Sequence, residues 1–218
     1  MSRPAGDADK RLIRAAREMM PRTGIAGLKV REVARKAGVN LGLFHYHFGN
    51  MRAFRRRVLQ EFYGDFFSRL LDALEAAGSE SPRERLRRVM LTVVKFIREN
   101  RAVMIAILRD ILDGDPEAIE FIRANFPKHV VIVVRLVRDC QKAGVLRRMS
   151  LPTVISMLLA GVASAPVAVG MMERLSAGTL FRLPMSLLTG GMITDAALEE
   201  RVDIMLNALS PTTSGRKP

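Results

Sequence analysis

The amino-acid sequence predicts an all-α protein. Apolar residues recur at intervals of three and four along most of its 218 residues, as they do on one face of a helix. Residues that start helices precede these stretches, and glycine or proline follows many of them. The one strand-like run, His129 to Val137, has no second strand pattern to pair with, so we predict a helix there as well.

Three short helices are predicted in the first 50 residues. The first carries an apolar face and ends at Thr23-Gly24, and the second covers residues 30–37. Gly38 and Val39 then turn the chain, and Asn40 is a strong N-cap for a third helix, because its side-chain oxygen can accept a hydrogen bond from an amide two or three residues on.

A long helix is predicted from Met51 to about Ala77. Apolar residues fall on it in two adjacent rows, which indicates neighbours on both sides. Ser81-Pro82-Arg83-Glu84 has the pattern of a capping box with proline at the first helical position, and Asn100 is a plausible end for the helix it opens.

The next helices are separated mainly by prolines. Residues 102–112 are nearly all apolar, Asp115-Pro116 is predicted to start another helix, and Pro127 a further one that ends near Gly144. The last helix is predicted to begin at Thr194 or Asp195. Residues 176–191 carry no clear prediction, and 211–218 read as a disordered tail.

The run from Leu151 to Met172 has no charged residue and is just long enough to cross a bilayer. It contains two prolines, two glycines and several hydroxyl groups, and it has no aromatic anchor at either end. We therefore predict a helix buried on all sides in a soluble protein, with a membrane span as the alternative.

Positive charge is concentrated at the start of the chain. Residues 1–60 hold 14 basic and 4 acidic side chains, a net charge of +10, whereas residues 61–218 hold 21 and 18, a net charge of +3. Such asymmetry is typical of a segment that meets a polyanion. Nucleic acid and an anionic membrane surface both fit this pattern.

Cysteine usage fits a reducing compartment, because Cys140 stands alone and cannot form an internal disulfide. We interpret it as a small buried apolar residue, with a redox sensor as the alternative. The first residues lack the apolar core of a secretory signal, so a cytoplasmic protein is expected.

The stretch VNLGLFHYHFGN, residues 39–50, raises the question of a metal or catalytic site. His45 and His47 would lie about 200° apart around a helix, so they cannot share a metal ion. His129 has no acidic neighbours at ligand spacing, and no serine or cysteine lies in a strained, glycine-bounded turn. We expect no metal site, no cofactor and no enzyme activity.

Residues 10–60 resemble the helix-turn-helix domain of the TetR family of bacterial transcriptional regulators. The resemblance lies in AAREMM, TGIAGLKVREVARKAGV and NLGLFHYHF, followed by the start of the long helix. For the rest of the chain only the all-helical layout and its lengths are similar. The resemblance implies a DNA-binding domain at 1–55, a ligand-binding and dimerisation domain at 56–210, and the tail.

The third helix then becomes the expected DNA-reading element. Phe44 and Phe48 lie one turn apart and would anchor it, which leaves the opposite side to face outward. There, leucines can meet thymine methyl groups, glycine permits close approach, and His45, Tyr46 and His47 can donate to phosphates. The predicted DNA-contacting residues are Lys29, Arg31, Asn40, Leu41, Gly42, Leu43, His45, Tyr46, His47 and Arg52.

The match to the family departs at known contact points. The family commonly has lysine where this chain has Leu41, threonine where it has Leu43 and Lys29, and a phosphate-gripping lysine where it has Met51. Lys29 and the arginines at 52, 55 and 56 could replace that grip electrostatically. The contact by Arg31, to a base or a phosphate, is implied by the resemblance alone.

The second domain is expected to bind an effector and to dimerise. Candidate lining residues for an apolar or amphipathic small molecule are Met104, Leu108, Phe121, Phe126 and Val134. The helix from Leu151 and the last helix are more apolar than a solvent-facing monomer should allow, so they are predicted to form the homodimer interface. We expect a repressor that binds a palindromic operator; the rival is a basic helical protein of the membrane surface.

Overall fold

The structure, a computed structural model, describes residues 7–175, 179–180 and 183–211. The chain forms two compact units, one of Met1–Asp65 with Ala102–Phe126 and one of Phe66–Arg101 with Pro127–Pro218. These units are compact groups of residues and each combines two separate stretches of the chain. They do not test the predicted functional domain borders at 55 and 210, which stay a prediction. The predicted tail lies, from residue 212, outside the described residues.

The all-α prediction is confirmed. The described elements are, in chain order, α1 (Ala8–Thr23), α2 (Val30–Ala37), α3 (Leu41–Phe48), α4 (Met51–Ala76), α5 (Pro82–Glu99), α6 (Arg101–Leu112), α7 (Pro116–Lys142), α8 (Leu151–Leu175), β1 (Thr179–Leu180), β2 (Leu183–Pro184), α9 (Met185–Met192) and α10 (Asp195–Ala208). The two strands pair antiparallel, Leu180 opposite Leu183, within the stretch that carried no clear prediction.

Three predicted helix starts are confirmed by their caps. Asn40 Oδ1 accepts a hydrogen bond from the amide of Leu43 at 2.8 Å. Ser81 Oγ accepts from the amide of Glu84 at 3.3 Å, with Pro82 at the first helical position. Thr194 caps α10 in the same way. Each cap satisfies an amide that the first turn of a helix leaves without a partner, which fixes where the helix begins.

The core of the first unit joins α1, α2 and α3. These helices pack on one another through apolar side chains. The buried members include Leu12, Ala16, Met20, Val33, Ala34, Phe44 and Phe54. This three-helix arrangement positions α3, whose other face is described below.

The core of the second unit joins α5, α8 and α10. Gly161 of α8 lets α10 approach closely, because a Cβ atom added there would lie 1.9 Å from Met205 Sδ. Cys140 is fully buried, and its thiol donates to the carbonyl of Pro82 at 3.1 Å. Burial raises the pKa of Cys140 to about 11, which keeps the thiol protonated and favours a core residue over a redox sensor.

The predicted helix break at Pro127 is wrong, since α7 runs without interruption from Pro116 to Lys142. Proline removes one amide donor but holds a φ angle that a helix accepts. Next to it, Asn125 Nδ2 donates to the carbonyl of Phe121, and the hydroxyl of Tyr63 donates to the carbonyl of Asn125, each at 2.9 Å. These side chains bond the helix backbone beside the position that proline weakens.

The prediction that α8 is buried on all sides is wrong for a single chain. By length and composition the segment Leu151–Arg174 is long and apolar enough to cross a membrane. Only 39% of the apolar stretch within it is buried in the described structure. Met157 and Met171 are among its exposed residues. The apolar composition of α8 therefore exceeds what packing within one chain requires.

Candidate nucleic-acid interface

The turn between α2 and α3 brings the third helix onto the first two. Gly38 ends α2 in the left-handed conformation, with φ of 62°, and its amide donates to the carbonyl of Arg35. Val39 is buried, and Asn40 then caps α3. A short turn of this kind, with glycine at the end of the first helix, is typical of a helix-turn-helix.

Aromatic packing anchors one side of α3. The ring of Phe44 is fully buried and lies 5.0 Å from the ring of Phe54 on α4. The ring of Phe48 lies 4.8 Å from the same Phe54 ring, and Phe44 and Phe48 are 5.7 Å apart. This packing buries one side of α3, so the predicted anchor is confirmed, and the exposed residues of the helix lie on its other side.

The outward face of α3 is uncharged, aromatic and exposed. Tyr46 is 82% exposed and Leu41 42%, and Gly42 and His45 are exposed as well, whereas Leu43 is partly buried. His45 Nδ1 lies 3.0 Å from the carbonyl oxygen of Gly49, so this ring also holds the C-terminal end of the helix. A tyrosine so exposed on a rigid helix offers a hydroxyl and a ring to a partner.

Charged residues flank this face. Lys29 precedes α2 and lies 3.7 Å from Glu32, and Arg31 is exposed on the first turn of α2. Arg52, on the first turn of α4, keeps 64% of its side chain exposed. All ten predicted DNA-contacting residues belong to the first unit, and their contact with DNA stays a prediction.

Arg55 is hydrogen-bonded to the backbone of the first unit. Its guanidinium group donates to the carbonyl oxygens of Ala26 and Leu28, the latter at 3.2 Å. Only 21% of its side chain is exposed. Arg55 therefore stabilises the segment between α1 and α2, and its expected electrostatic contribution to phosphate binding stays a prediction.

Asp110 is a residue of this site that sequence reasoning missed. Its carboxylate is 2% exposed and accepts hydrogen bonds from the amides of Ile25 at 2.5 Å and Ala26 at 3.2 Å. Gly24, with φ of 69°, makes room for it, since an added Cβ would lie 2.3 Å from Asp110 Oδ1. A carboxylate within the apolar α6 was the one available signal, but the sequence cannot show its partner 85 residues away.

The five predicted ligand-lining residues do not share one environment. Phe121 is buried, its ring 6.0 Å from that of Tyr63, and it lines a small depression of about 120 Å³. Leu108 and Phe126 are 48% and 40% exposed, and Met104 and Val134 are half-buried. Binding of a small molecule by these residues stays a prediction.

Metal ligation has no support among the residues described. Within 7–175, 179–180 and 183–211 no three histidine, cysteine, aspartate or glutamate side chains are grouped as a metal site would need. His47 Nε2 is buried with no hydrogen-bond partner in this part of the chain, and the His47 ring lies 5.2 Å from that of Tyr46. The exposed residues of α3 offer hydrogen-bonding groups and apolar side chains, with charged side chains beside them.

Two family models match the chain. The model of bacterial regulatory proteins of the tetR family matches residues 12–58, and a tetracyclin repressor-like C-terminal domain matches residues 79–167. The first match covers α2, α3 and most of α1, and the second covers α5, α6 and α7 together with the first part of α8.

Curated relatives are similar over part of their length. The transcriptional regulator AcuR of Cereibacter sphaeroides is 36% identical over 90 residues, which are 39% of this chain and 41% of AcuR. YttP of Bacillus subtilis, named as a probable HTH-type transcriptional regulator, is 23% identical over 101 residues, 46% of this chain and 49% of YttP. The chain thus matches about half the length of these relatives or less.

Solved structures share the fold over nearly the whole chain. The fatty acid degradation regulator FadR of Bacillus halodurans has a TM-score of 0.70 at 14% identity, covering 95% of this chain and 98% of its own. FadR of Bacillus subtilis, solved in complex with stearoyl-CoA, has a TM-score of 0.66 at 14% identity, with coverages of 90% and 97%. At such identities the likeness concerns the fold.

Proposed function

The chain belongs to the TetR family of bacterial regulatory proteins, and from this premise we propose that it is a cytoplasmic, DNA-binding transcriptional regulator. It acts as a homodimer on a palindromic operator and represses transcription until a small molecule releases it. The observation that carries the proposal is the outward face of α3, exposed on a helix whose other side is anchored by Phe44.

The chemistry of α3 suits the major groove, which admits one α-helix. Leu41 and Leu43 offer apolar contact to thymine methyl groups, and Gly42 allows the helix backbone to come close to the bases. Tyr46, 82% exposed, donates to a phosphate or a base edge. The net charge of +10 on residues 1–60 supplies the sequence-independent attraction to phosphate.

Homodimer formation through α8 and α10 is supported by their exposed apolar residues. Met157, Met171 and Ile204 are 43%, 54% and 60% exposed. Exposed apolar side chains on two packed helices are typical of a protein interface when they form one patch on a soluble chain. A two-fold dimer would set its two recognition helices about one DNA turn apart, ~34 to 36 Å, which requires a palindromic site.

An amphipathic effector is the third part of the proposal. The predicted lining residues are apolar, and thirteen methionines make an adaptable lining available. Among proteins of similar fold, FadR of Bacillus subtilis was solved with stearoyl-CoA. Long-chain acyl-CoA is therefore the first probe to apply, with shorter acyl chains and free fatty acids as comparators.

A second candidate function rests on the exposed, uncharged face of α8 together with the basic N-terminal segment, which would also suit a protein of the membrane surface. Two assays on the same preparation separate the two functions. A band shift on genomic fragments should give discrete complexes that competitor DNA of unrelated sequence does not remove, and flotation with anionic liposomes should leave the protein unbound. Flotation without a band shift would reverse the choice.

A further inference from the structure

The start of α4 carries arginines that are already paired with carboxylates. Arg56 Nη2 lies 2.9 Å from both oxygens of Glu120, 64 residues further along the chain. Arg52 Nη2 lies 3.6 Å from the same carboxylate, and Arg52 Nε lies 3.5 Å from Glu117. Both glutamates belong to α7, outside the stretch that the N-terminal family model matches.

The position of these arginines is one that favours anions. They lie on the first two turns of α4, and the amino end of a helix carries partial positive charge and free amides. Asn50, between α3 and α4, caps this end, since its Oδ1 accepts from the amide of Ala53 at 2.9 Å. If α3 enters a groove, the next anion that the start of α4 meets is a phosphate.

The two carboxylates and a DNA phosphate therefore compete for the same cations. Arg52 and Arg56 keep 64% and 53% of their side chains exposed, and Glu120 also keeps 53%. Ion pairs exposed to this degree contribute little to stability, so a phosphate can exchange with the carboxylate. Glu117 is only 11% exposed and stays beside Arg52 and Arg55 as a fixed negative charge.

We propose that Glu120, with Glu117 behind it, acts as an internal counter-anion for Arg52 and Arg56 and weakens binding to DNA of every sequence. The inference rests on the proposed DNA-binding function. Binding of DNA then requires the arginines to leave Glu120, which reduces the number of phosphate contacts that add to affinity. The recognition helix keeps its base contacts. The pairing with Glu120 therefore shortens the time that the protein stays bound to non-specific DNA.

The test is Glu120→Gln, which keeps the shape of the side chain and removes its charge. Affinity for a 25-base-pair duplex of scrambled sequence is measured by fluorescence anisotropy at several salt concentrations, which requires no knowledge of the operator. We expect about three- to tenfold tighter binding at moderate salt and a steeper salt dependence, by about one unit of slope for each additional phosphate that the protein neutralises.

Glu99→Gln is the matched control, because it changes the net charge equally. Glu99 pairs with Arg69 at 2.6 Å in the second unit and is exposed to a similar degree, 43%. It should leave DNA affinity within about twofold of the parent, since its partner Arg69 is not among the predicted DNA-contacting residues. The tighter binding of Glu120→Gln should also vanish when Arg52 and Arg56 are both changed to glutamine.

Three results would overturn the inference: no increase in affinity from Glu120→Gln, an equal increase from Glu99→Gln, or an increase that persists without the two arginines. Circular dichroism and thermal unfolding of Glu120→Gln should match those of the parent, so that tighter binding is not due to partial unfolding. Failure of the proposed function looks different, because the parent protein itself would then bind no DNA at low salt.

Discussion

Two helices of this chain, α3 and α8, both turn uncharged residues to solvent, and they differ in what surrounds them. The eight residues of α3 follow α2, whose first turn exposes Arg31, and precede α4, whose first turn exposes Arg52. The 25-residue α8 packs beside α10, where Ile204 is 60% exposed. Exposed apolar surface alone does not identify a partner. Exposed arginines beside α3 favour a polyanion, whereas the apolar surroundings of α8 favour another apolar surface.

The largest expected effect comes from placing a charge on the exposed apolar surface of α8 and α10. If the proposed two-fold interface forms, Ile204→Glu would bury two unpaired carboxylates in it. We then expect a monomer and a loss of operator affinity of about 100-fold or more, because the second half-site no longer contributes avidity. Light scattering and operator titration measure the two effects. Val131→Glu, on an α7 residue 47% exposed, is the control and should stay dimeric. A dimeric Ile204→Glu would assign α10 to another partner.

Binding of an effector to the second domain should lower the affinity of the protein for its operator. If an acyl-CoA fills the second domain, we expect operator affinity to fall by about 5- to 150-fold, a coupling of roughly 1 to 3 kcal/mol. Calorimetry and operator titration with and without the compound measure it. Val134→Ala, at a half-buried predicted lining residue, should reduce the response, whereas Val131→Ala on the exposed side of the same helix should not. A tight ligand that leaves operator affinity unchanged would exclude this coupling.

Within the DNA-binding region, apolar and charged residues should differ in their dependence on salt. Leu43→Ala should relax preference at one or two base pairs by about 1 to 3 kcal/mol per lost base interaction and leave the salt slope unchanged. Arg52→Ala should weaken all sequences alike and lower the slope by at most about one unit per phosphate contact, because Glu120 competes with phosphate for this arginine. Tyr46→Phe should resemble Arg52→Ala but more weakly, since the hydroxyl is neutral.

The measurement is affinity for operator and scrambled DNA at several salt concentrations, with circular dichroism as the check on folding. Leu43 is partly buried, so its folding role is tested at the same time. If Leu43→Ala unfolds the protein, Leu43 is a core residue and not a base contact.

The smallest effects should come from two helical glycines, one in each unit. An added Cβ at Gly161 would lie 1.9 Å from Met205 Sδ, so Gly161→Ala should destabilise the protein by about 1 to 2 kcal/mol, limited by the flexibility of methionine. At Gly64 nothing lies within 4 Å, so Gly64→Ala should stabilise by about 0.5 to 1 kcal/mol. Chemical denaturation measures both, and equal effects would contradict the close packing of α8 on α10.

Local signals in the sequence predicted helix boundaries well. Asn40, Ser81 and Thr194 cap the helices that their side chains indicated, because a cap depends on residues only three positions apart. Pro127 was misleading, because the local pattern alone suggested that a helix would start there. Whether a proline ends a helix depends on packing around it, and the hydroxyl of Tyr63 on α4 was not visible from the local pattern.

Contacts distant in sequence could not be predicted. Asp110 and Glu120 reach residues 85 and 64 positions away, and nothing in their neighbourhood indicates those partners. The sequence did predict the exposed face of α3, because Phe44 and Phe48 fix which side is buried. For α8 it predicted an apolar helix, but the exposure within one chain depends on how α5 and α10 cover it.

The division of the first unit into Met1–Asp65 and Ala102–Phe126 has a consequence for synthesis on the ribosome. At about 5 to 20 residues per second, the second stretch is completed about 3 to 12 seconds after the first. In that interval the amides of Ile25 and Ala26 lack their acceptor, the carboxylate of Asp110, and Arg52 and Arg56 lack the carboxylate of Glu120. The newly made N-terminal stretch is therefore more strongly basic while it is still beside ribosomal RNA, and Arg52 and Arg56 gain their carboxylate partner only when more than half of the chain has been made.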